Sequence, residues 1–339
     1  MSMAAELKVV FMDAGQGDCT LILFPDGATN WLIDCGSNKN GKIAVKGILT
    51  RLTAELKKRS QPNIKRLILT HPDEDHYNLL SSVFNTIKPD EIVYGGHIDQ
   101  YQNKKDKNFT YDMLKAYGAK AISPDKFADW EAGTKIGGCS VTFLAANATG
   151  KWDDTNNNSI VVLLEYNGYK YFLMGDAETS TETFIYKTWN ATGRLAKGSV
   201  GTVLKMGHHG SDTSSSETWV KALTPTALVV SADTRVFGIN GKGMPTGSHI
   251  QAVSGWASAT IATNIVKHTY VVFDDLSPPQ APTYRKPLQS AATQTAICTT
   301  LYGITHNATY STFAATGGSW YYRMASDGLH VEWSGDPED

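Results

Sequence analysis

Apolar, β-branched runs broken by Gly, Asp and Asn dominate the first part of the chain. LKVVFMD, CTLILF and NWLID predict three strands, with FPDGATN as the hairpin turn between the last two. Val45, Ile48, Leu49, Leu52 and Leu56 fall on one face, which predicts a helix over Ala44 to Lys58. Lys57, Lys58 and Arg59 at its end complement the helix dipole. IKRLILT then reads as a buried strand, and the alternation continues through EIVYGG, a short helix at Tyr111 to Tyr117, and AKAIS.

SVTFLAA, SIVVLLEY and KYFLMGD predict further strands, the last two joined by an Asn167-Gly168 turn. A helix is expected from Ala177 to Thr188, then TVLKMG as strand, SETWVKAL as helix and TALVVSA as strand. Another helix is expected over Gly247 to Thr263, before the strand TYVVFDD. Mixed strands and helices on this plan imply two sheets face to face with helices outside. After Asp275 the pattern changes: SPPQAP reads as a linker, TYSTFA and WYYRMA as strand-like runs about ATGGS, and HVEW as a final strand. The expected division is a main domain over residues 1–275 and a β-rich extension over 276–339 packed on it.

The 339 residues are 41% hydrophobic and 19% charged, which suits a globular chain with a sizeable core. A formal net charge of −2 gives no global attraction to nucleic acid or an anionic membrane, so any polyanion must be held by a local patch. The clusters Lys57-Lys58-Arg59 and Lys104, Lys105, Lys107 could supply such a patch, the plainer alternative being solvated faces. Four cysteines (Cys19, Cys35, Cys139, Cys298) lie far apart without a CxxC pair, which argues against a disulfide framework or thiolate zinc site. MSMAAELKVVFMDAG lacks the charged start and apolar run of a leader, and no segment is apolar for a bilayer's width. The expectation is a soluble, cytoplasmic protein with no membrane partner.

LTHPDEDHYN sets two histidines and three acids within six positions at the end of the IKRLILT strand. His71 and Asp73 can converge on one ion, and Asp75 and His76 on a second. Imidazole and carboxylate suit zinc, manganese or iron with positions left for water. The plainer alternative is an acidic turn capping the next helix. Two later strands also end in possible ligands: FLMGD in Asp176, and LKMGHHGS in His208 and His209. Strand ends that converge at one edge of a sandwich favour a single metal site.

The order HxDxDH, GD, GHHGS resembles the metallo-β-lactamase superfamily, whose fold is a four-layered αββα sandwich. FMDAGQGDCTLI, LIDCG, NNNSIVVLLEY and GHHGSDTSSS make it most similar to the metallo-hydrolase domain of ComEC-type DNA-uptake proteins and their free-standing relatives, over roughly residues 7–235. The resemblance implies that His71 and Asp73 hold one metal, Asp75 and His76 a second, that Asp176 bridges them and that His208 completes the second site. His209 is left as ligand, supporting group or proton donor. Asp34 is expected to orient the ligand loop, Asp13 and Asp18 either to support the site or only to satisfy backbone donors of the Gly-Gln-Gly turn, and Asp154 or Asn158 to assist where many members carry a further histidine. Relatives often carry His-Pro after the last core strand; Gly243-Met244-Pro245 stands here instead, with His249 nearby. The other histidines, His97, His249, His268, His306 and His330, show no ligand spacing and read as structural or exposed.

The implied activity is a metal-dependent phosphodiesterase or nuclease. Two zinc or manganese ions lower the pKa of a shared water and neutralise developing charge. Asp75, His208 and His209 are the expected catalytic groups. Lys205, Ser211 and the amides of a helix opening near Ser211 to Ser216 are expected to hold a phosphate of a nucleic acid or small nucleotide. The alternatives are hydrolysis of a lactam, lactone or thioester, and a non-catalytic, metal-stabilised binding module.

Overall fold

The computed structural model describes residues 7–12, 14, 16–37, 41–84, 88–122, 134–199, 201–225, 227–231, 249, 252–253, 256–257, 268–272, 319–325 and 328–334. The first strands are β1 (Leu7–Phe11), β2 (Thr20–Leu23), β3 (Asn30–Ile33), β4 (Ile64–Leu69), β5 (Pro89–Tyr94) and β6 (Lys120–Ala121). They are followed by β7 (Thr134–Ile136), β8 (Cys139–Ala145), β9 (Val161–Tyr166), β10 (Tyr169–Leu173), β11 (Gly201–Lys205) and β12 (Ala227–Ser231). The last are β13 (His268–Val272), β14 (Ser319–Ala325) and β15 (Gly328–Ser334). The helices are α1 (Gly41–Leu56), α2 (Glu74–Tyr77), α3 (Leu80–Val83), α4 (Phe109–Ala116), α5 (Thr179–Trp189) and α6 (Glu217–Leu223).

One sheet has the order β15-β14-β1-β2-β3-β4-β5-β6 and the other β13-β12-β11-β10-β9-β8-β7. Val9, Ile22 and Ile68 face the second sheet in one core; their neighbours Val10, Leu21 and Leu67 face α1 and α3 in another. Strands covered on both faces read as continuous apolar runs instead of alternating ones. Each such Val, Leu or Ile contributes about 1.5–3 kcal/mol by leaving water. Ile185 and Trp189 of α5, with Trp219 and Val220 of α6, cover the second sheet. The layers are therefore helix, sheet, sheet and helix, as the resemblance implied. Cys19, Cys35 and Cys139 are buried free thiols inside these layers.

The parallel strands β3, β4 and β5 in one sheet, and β10, β11 and β12 in the other, fix the site. Their carboxyl ends deliver Asp34, His71 and Gly95 from the first sheet, and Asp176, His208, His209 and Ser231 from the second. Ligands gather at this edge in open sheets because the strand-to-helix loops all leave there.

Several elements depart from expectation. Helix α1 ends at Leu56, so the basic triplet lies beyond its last turn. Arg59 instead folds back on the β2–β3 hairpin, donating from Nε to Asn30 at 2.9 Å and from its guanidinium to the Phe24 carbonyl at 2.5 Å. Lys58 pairs with Glu55 at 3.3 Å. The AKAIS strand shrinks to two residues, and β7, α2 and α3 escaped the periodicity because each is only three or four residues long. Of the helix expected over 247–263, residues 249, 252–253 and 256–257 are described and helical. SPPQAP, TYSTFA and Asp13 lie outside the described residues. β14 and β15 form a hairpin, and β14 pairs antiparallel with β1, Leu7 opposite Met324 and Phe11 opposite Trp320. Among the described residues no helix is long and apolar enough to cross a membrane.

Candidate metal centre

The β4 strand ends at Leu69, and Thr70 turns the chain so that His71 and His76 lie inward, both fully buried with ring centroids 4.1 Å apart. Asp73 occupies the N-cap position of α2, yet its side chain makes no capping bond and its Oδ2 lies 3.6 Å from His71 Nε2. The plainer reading of the motif, an acid spent on a helix start, therefore fails here.

Asp176 follows β10 through Gly175, whose φ of +56° lies in the region that favours glycine. A Cβ there would also stand 3.0 Å from that of Thr70. Asp176 Oδ2 lies 3.2 Å from His76 Nε2, 3.3 Å from His209 Nε2 and 3.9 Å from His71 Nε2. Asp75 Oδ2 approaches the same His209 nitrogen at 3.3 Å. His71, His76 and Asp176 form one compact donor group, and Asp75, His76 and His209 another.

The outer nitrogens explain the orientation. His76 Nδ1 donates to Asp34 Oδ2 at 2.8 Å, and Asp34 also accepts from the Thr70 amide and hydroxyl at 2.7 Å each. His209 Nδ1 donates to the Ser231 carbonyl at 2.8 Å. In the neutral form that a metal requires, Nδ1 keeps its proton and each ring turns an Nε2 lone pair toward the space between the carboxylates. His71 Nδ1 lies 3.1 Å from Thr70 Oγ1 and 3.4 Å from Ser159 Oγ, and Ser159 Oγ accepts from the Asp176 amide at 3.1 Å.

His71 Nε2, His76 Nε2, His209 Nε2 and Asp176 Oδ1 are all buried without a hydrogen-bond partner. Orphaned buried polar atoms cost about 1–3 kcal/mol each. Four that converge from three loops describe a cradle for cations, and nitrogen with carboxylate oxygen fits zinc or manganese. The donor set therefore fits the group the resemblance implies.

Protonation follows the same geometry. Burial works against a charged His209, but Asp176 and Asp75 raise it to about 10. His76 is likewise held well above its ordinary value, burial being outweighed by Asp176 and Asp34. Burial would raise the Asp176 carboxyl, yet His209 and His76 hold it well below the usual range. Asp75 and Asp73 are lowered despite burial, chiefly through His209 and His71 respectively.

His208 does not join this group. Its Nδ1 lies 3.0 Å from Glu178 Oε1 and 2.9 Å from Thr213 Oγ1, at the partly exposed rim. His208 and His209 have φ values of +43° and +50°. Two successive side chains in the left-handed region send the two rings in different directions, at about 1–2 kcal/mol each. The expected ligand His208 is thus replaced in the cluster by His209.

Other expected residues are spent differently. Lys205 is buried and its Nζ lies 2.5 Å from Asp18 Oδ2, so it faces an internal acid and not solvent. Asp18 in turn lies 3.9 Å from His76 Nδ1. Asp154 accepts from Asn157 at 2.9 Å, and Asn158 donates to the Trp152 carbonyl at 3.1 Å; both bonds stay within one loop. Ser211 is buried and bonds to Thr213. Helix α6 starts only at Glu217, and the amides of Ser215 and Ser216 before it donate to Glu182. That anion site is filled from within the chain. His249 Nε2 donates to the Ser214 carbonyl at 2.7 Å, while His97 is half exposed beside Trp152. Sequence reasoning assigned no role to Glu178, Ser159 or Ser231; Glu178, two residues beyond the Gly-Asp strand end, and Ser159, within NNNSIVVLLEY, offered a signal, and Ser231 none.

Close approach completes the frame. A Cβ on Gly36 would lie 2.3 Å from the Asp75 carbonyl carbon. Asp18 and Cys35 amides donate to the Asp75 and His76 carbonyls at 3.1 and 2.8 Å, pinning the ligand loop against the β3 exit.

A family model described as the metallo-beta-lactamase superfamily matches residues 12–234. ComE operon protein 3 of Bacillus subtilis (strain 168) is 24% identical over 243 residues, covering 68% of this chain and 29% of that protein. Recombination protein 2 of Haemophilus influenzae is 27% identical over 226 residues, covering 66% of this chain and 24% of that protein. The chain thus spans less than a third of the length of either relative. Among solved structures, unliganded yeast PDE1 aligns with a TM-score of 0.44 and 9% identity over 84% of this chain and 92% of that one.

Proposed function

Because the chain belongs to the metallo-β-lactamase superfamily of metal-dependent hydrolases, we propose that it hydrolyses phosphodiesters with a pair of divalent cations. The observation that carries this reading is the set of orphaned Nε2 atoms of His71, His76 and His209 around Asp176. His71 and Asp73 would hold one cation, Asp75, His76 and His209 the other, with Asp176 between. When bound, the cations supply Lewis acidity that brings the pKa of a water near neutrality and offsets charge developing on a phosphoryl oxygen.

The chain's own residues supply the rest. Asp34 and the Ser231 carbonyl fix the tautomers of His76 and His209, so neither ring has to reorient during turnover. Lys205 balances Asp18 beside a carboxylate-rich centre. Asp73, Asp75 and Asp176 make the donor set harder than an all-histidine one, which supports manganese alongside zinc. His208 and Asn156, both bonded to Glu178, form a polar rim positioned to touch the substrate. The name of one relative, a recombination protein, supports nucleic acid as the diester.

The test is incubation of purified protein with manganese or zinc and a panel of nucleic-acid, small phosphodiester, ester and lactam substrates. Diester hydrolysis that disappears in Asp75→Ala supports the reading. Turnover confined to the ester or lactam refutes it, as does metal-loaded protein that turns over none of them.

A further inference from the structure

We propose that Trp152, with His97 set edge-on beside it, is a stacking platform for a nucleobase of the substrate at the mouth of the metal centre. This deepens the phosphodiester reading and rests on it for the identity of the ligand.

Trp152 is the large apolar side chain left exposed among the described residues, at 39%. An indole in water forgoes burial that the two cores provide elsewhere, so its position calls for an explanation. The loop that carries it is not loose. The Trp152 carbonyl accepts from Gln100 Nε2 at 2.5 Å, in the turn Ile98–Tyr101, and from Asn158 Nδ2 at 3.1 Å, in its own loop. The His97 ring meets the indole at 6.0 Å and 68°, and His97 is itself fixed as the cap of the turn Ile98–Tyr101. A platform held in advance loses little entropy when a planar ligand lands on it.

Both residues are linked to the ligand segment through their neighbours. Ser159, next to Asn158, lies 3.4 Å from His71 Nδ1. Gly96, next to His97, packs so closely on Pro72 that a Cβ would stand 2.8 Å from its ring. The aromatic pair is therefore tied at two points to the segment that carries His71 and Asp73.

Charge selects the occupant. Asp99, Asp153 and Asp154 lie within two residues of the pair against a single cation, Lys151, and Asp99 Oδ2 is 3.4 Å from His97 Nδ1. These acids disfavour a phosphate at this spot but not the neutral π-face of a base. A diester whose phosphate lies at the cations would extend its adjoining base over the rim. Stacking on an aromatic side chain tolerates any base, so the site would favour nucleotides without reading sequence.

The test is equilibrium binding by fluorescence anisotropy with the full chain loaded with manganese or zinc, using phosphorothioate-linked probes that resist hydrolysis. The probes are a labelled single-stranded oligothymidylate and an abasic strand of equal length and charge. Wild type is expected to prefer the base-bearing strand by about 10-fold, the effect of one stacked base. Trp152→Leu should erase the preference and Trp152→Phe should retain part of it, with melting temperatures confirming that each is folded. Displacement by thymidine monophosphate would assign the platform to a small nucleotide, and displacement only by a strand would assign it to a polymer. Equal binding of both strands by wild type, or an undiminished preference in Trp152→Leu, overturns the proposal. Because no turnover is needed, a protein that keeps the base preference but hydrolyses no diester would refute the reaction and leave the platform standing.

Discussion

His209 Nδ1 donates to the Ser231 carbonyl at 2.8 Å, which points Nε2 of the same ring between Asp75 and Asp176. His208, its neighbour, bonds instead to Glu178. The two histidines should therefore separate cleanly. His209→Ala is expected to cost more than the ~10–100-fold loss in metal affinity typical of a residue that merely supports a ligand. His208→Ala should keep metal content at the wild-type level while weakening substrate use. Metal titration of both variants against a chromophoric chelator reads the difference.

Asp34 accepts three hydrogen bonds, one of them from His76. Replacing it with Ala frees that ring to turn and strands the Thr70 amide. Metal affinity should fall ~10–100-fold, and thermal denaturation should show a loss of about 1–3 kcal/mol. Asp34→Asn, which can accept but also donates, should fall between these and wild type.

The raised His209 gives the metal-free protein a pH signature. Its folded value of about 10 lies above the ordinary imidazole value, so its stabilisation is complete below about pH 6.5 and is lost as pH rises through 10. The melting temperature of chelated protein should fall over that window, and His209→Gln should flatten the fall. Metal requires the neutral rings, so its binding should release protons at pH 7 and tighten as pH rises. Calorimetry in buffers of different ionisation enthalpy measures the release directly.

Gly36 tests how tightly the frame holds the ligand loop. An added methyl would meet the Asp75 backbone at 2.3 Å, and backbone cannot rotate away as a side chain can. Gly36→Ala is expected to destabilise the fold by about 1–3 kcal/mol and to lower metal affinity with it. A variant with wild-type melting and metal binding would show that this contact is relaxed at no cost.

Much of this was legible in the sequence, for physical reasons. The runs LKVVF and IKRLIL predicted buried strands because both faces of each are covered. The inward cluster was legible in His71, Asp75, His76 and Asp176, since strand ends in parallel order open on one edge. The choice between His208 and His209 was not, because it depends on two left-handed φ values that no neighbouring residue dictates. The partners of Arg59 and Lys205 were not legible, because a cation in sequence looks solvated until an internal acceptor, the Phe24 carbonyl or Asp18, is folded onto it. Glu182 shows the converse, an internal carboxylate occupying the amides that sequence assigned to a phosphate.

The central claim is that two cations share Asp176, and crystals soaked in manganese or zinc measure it by anomalous scattering at each metal's absorption edge. The account predicts two peaks flanking the Asp176 carboxylate, at coordination distance from His71 on one side and from His76 and His209 on the other. A map without peaks there, or with a single peak beside His208, would contradict it.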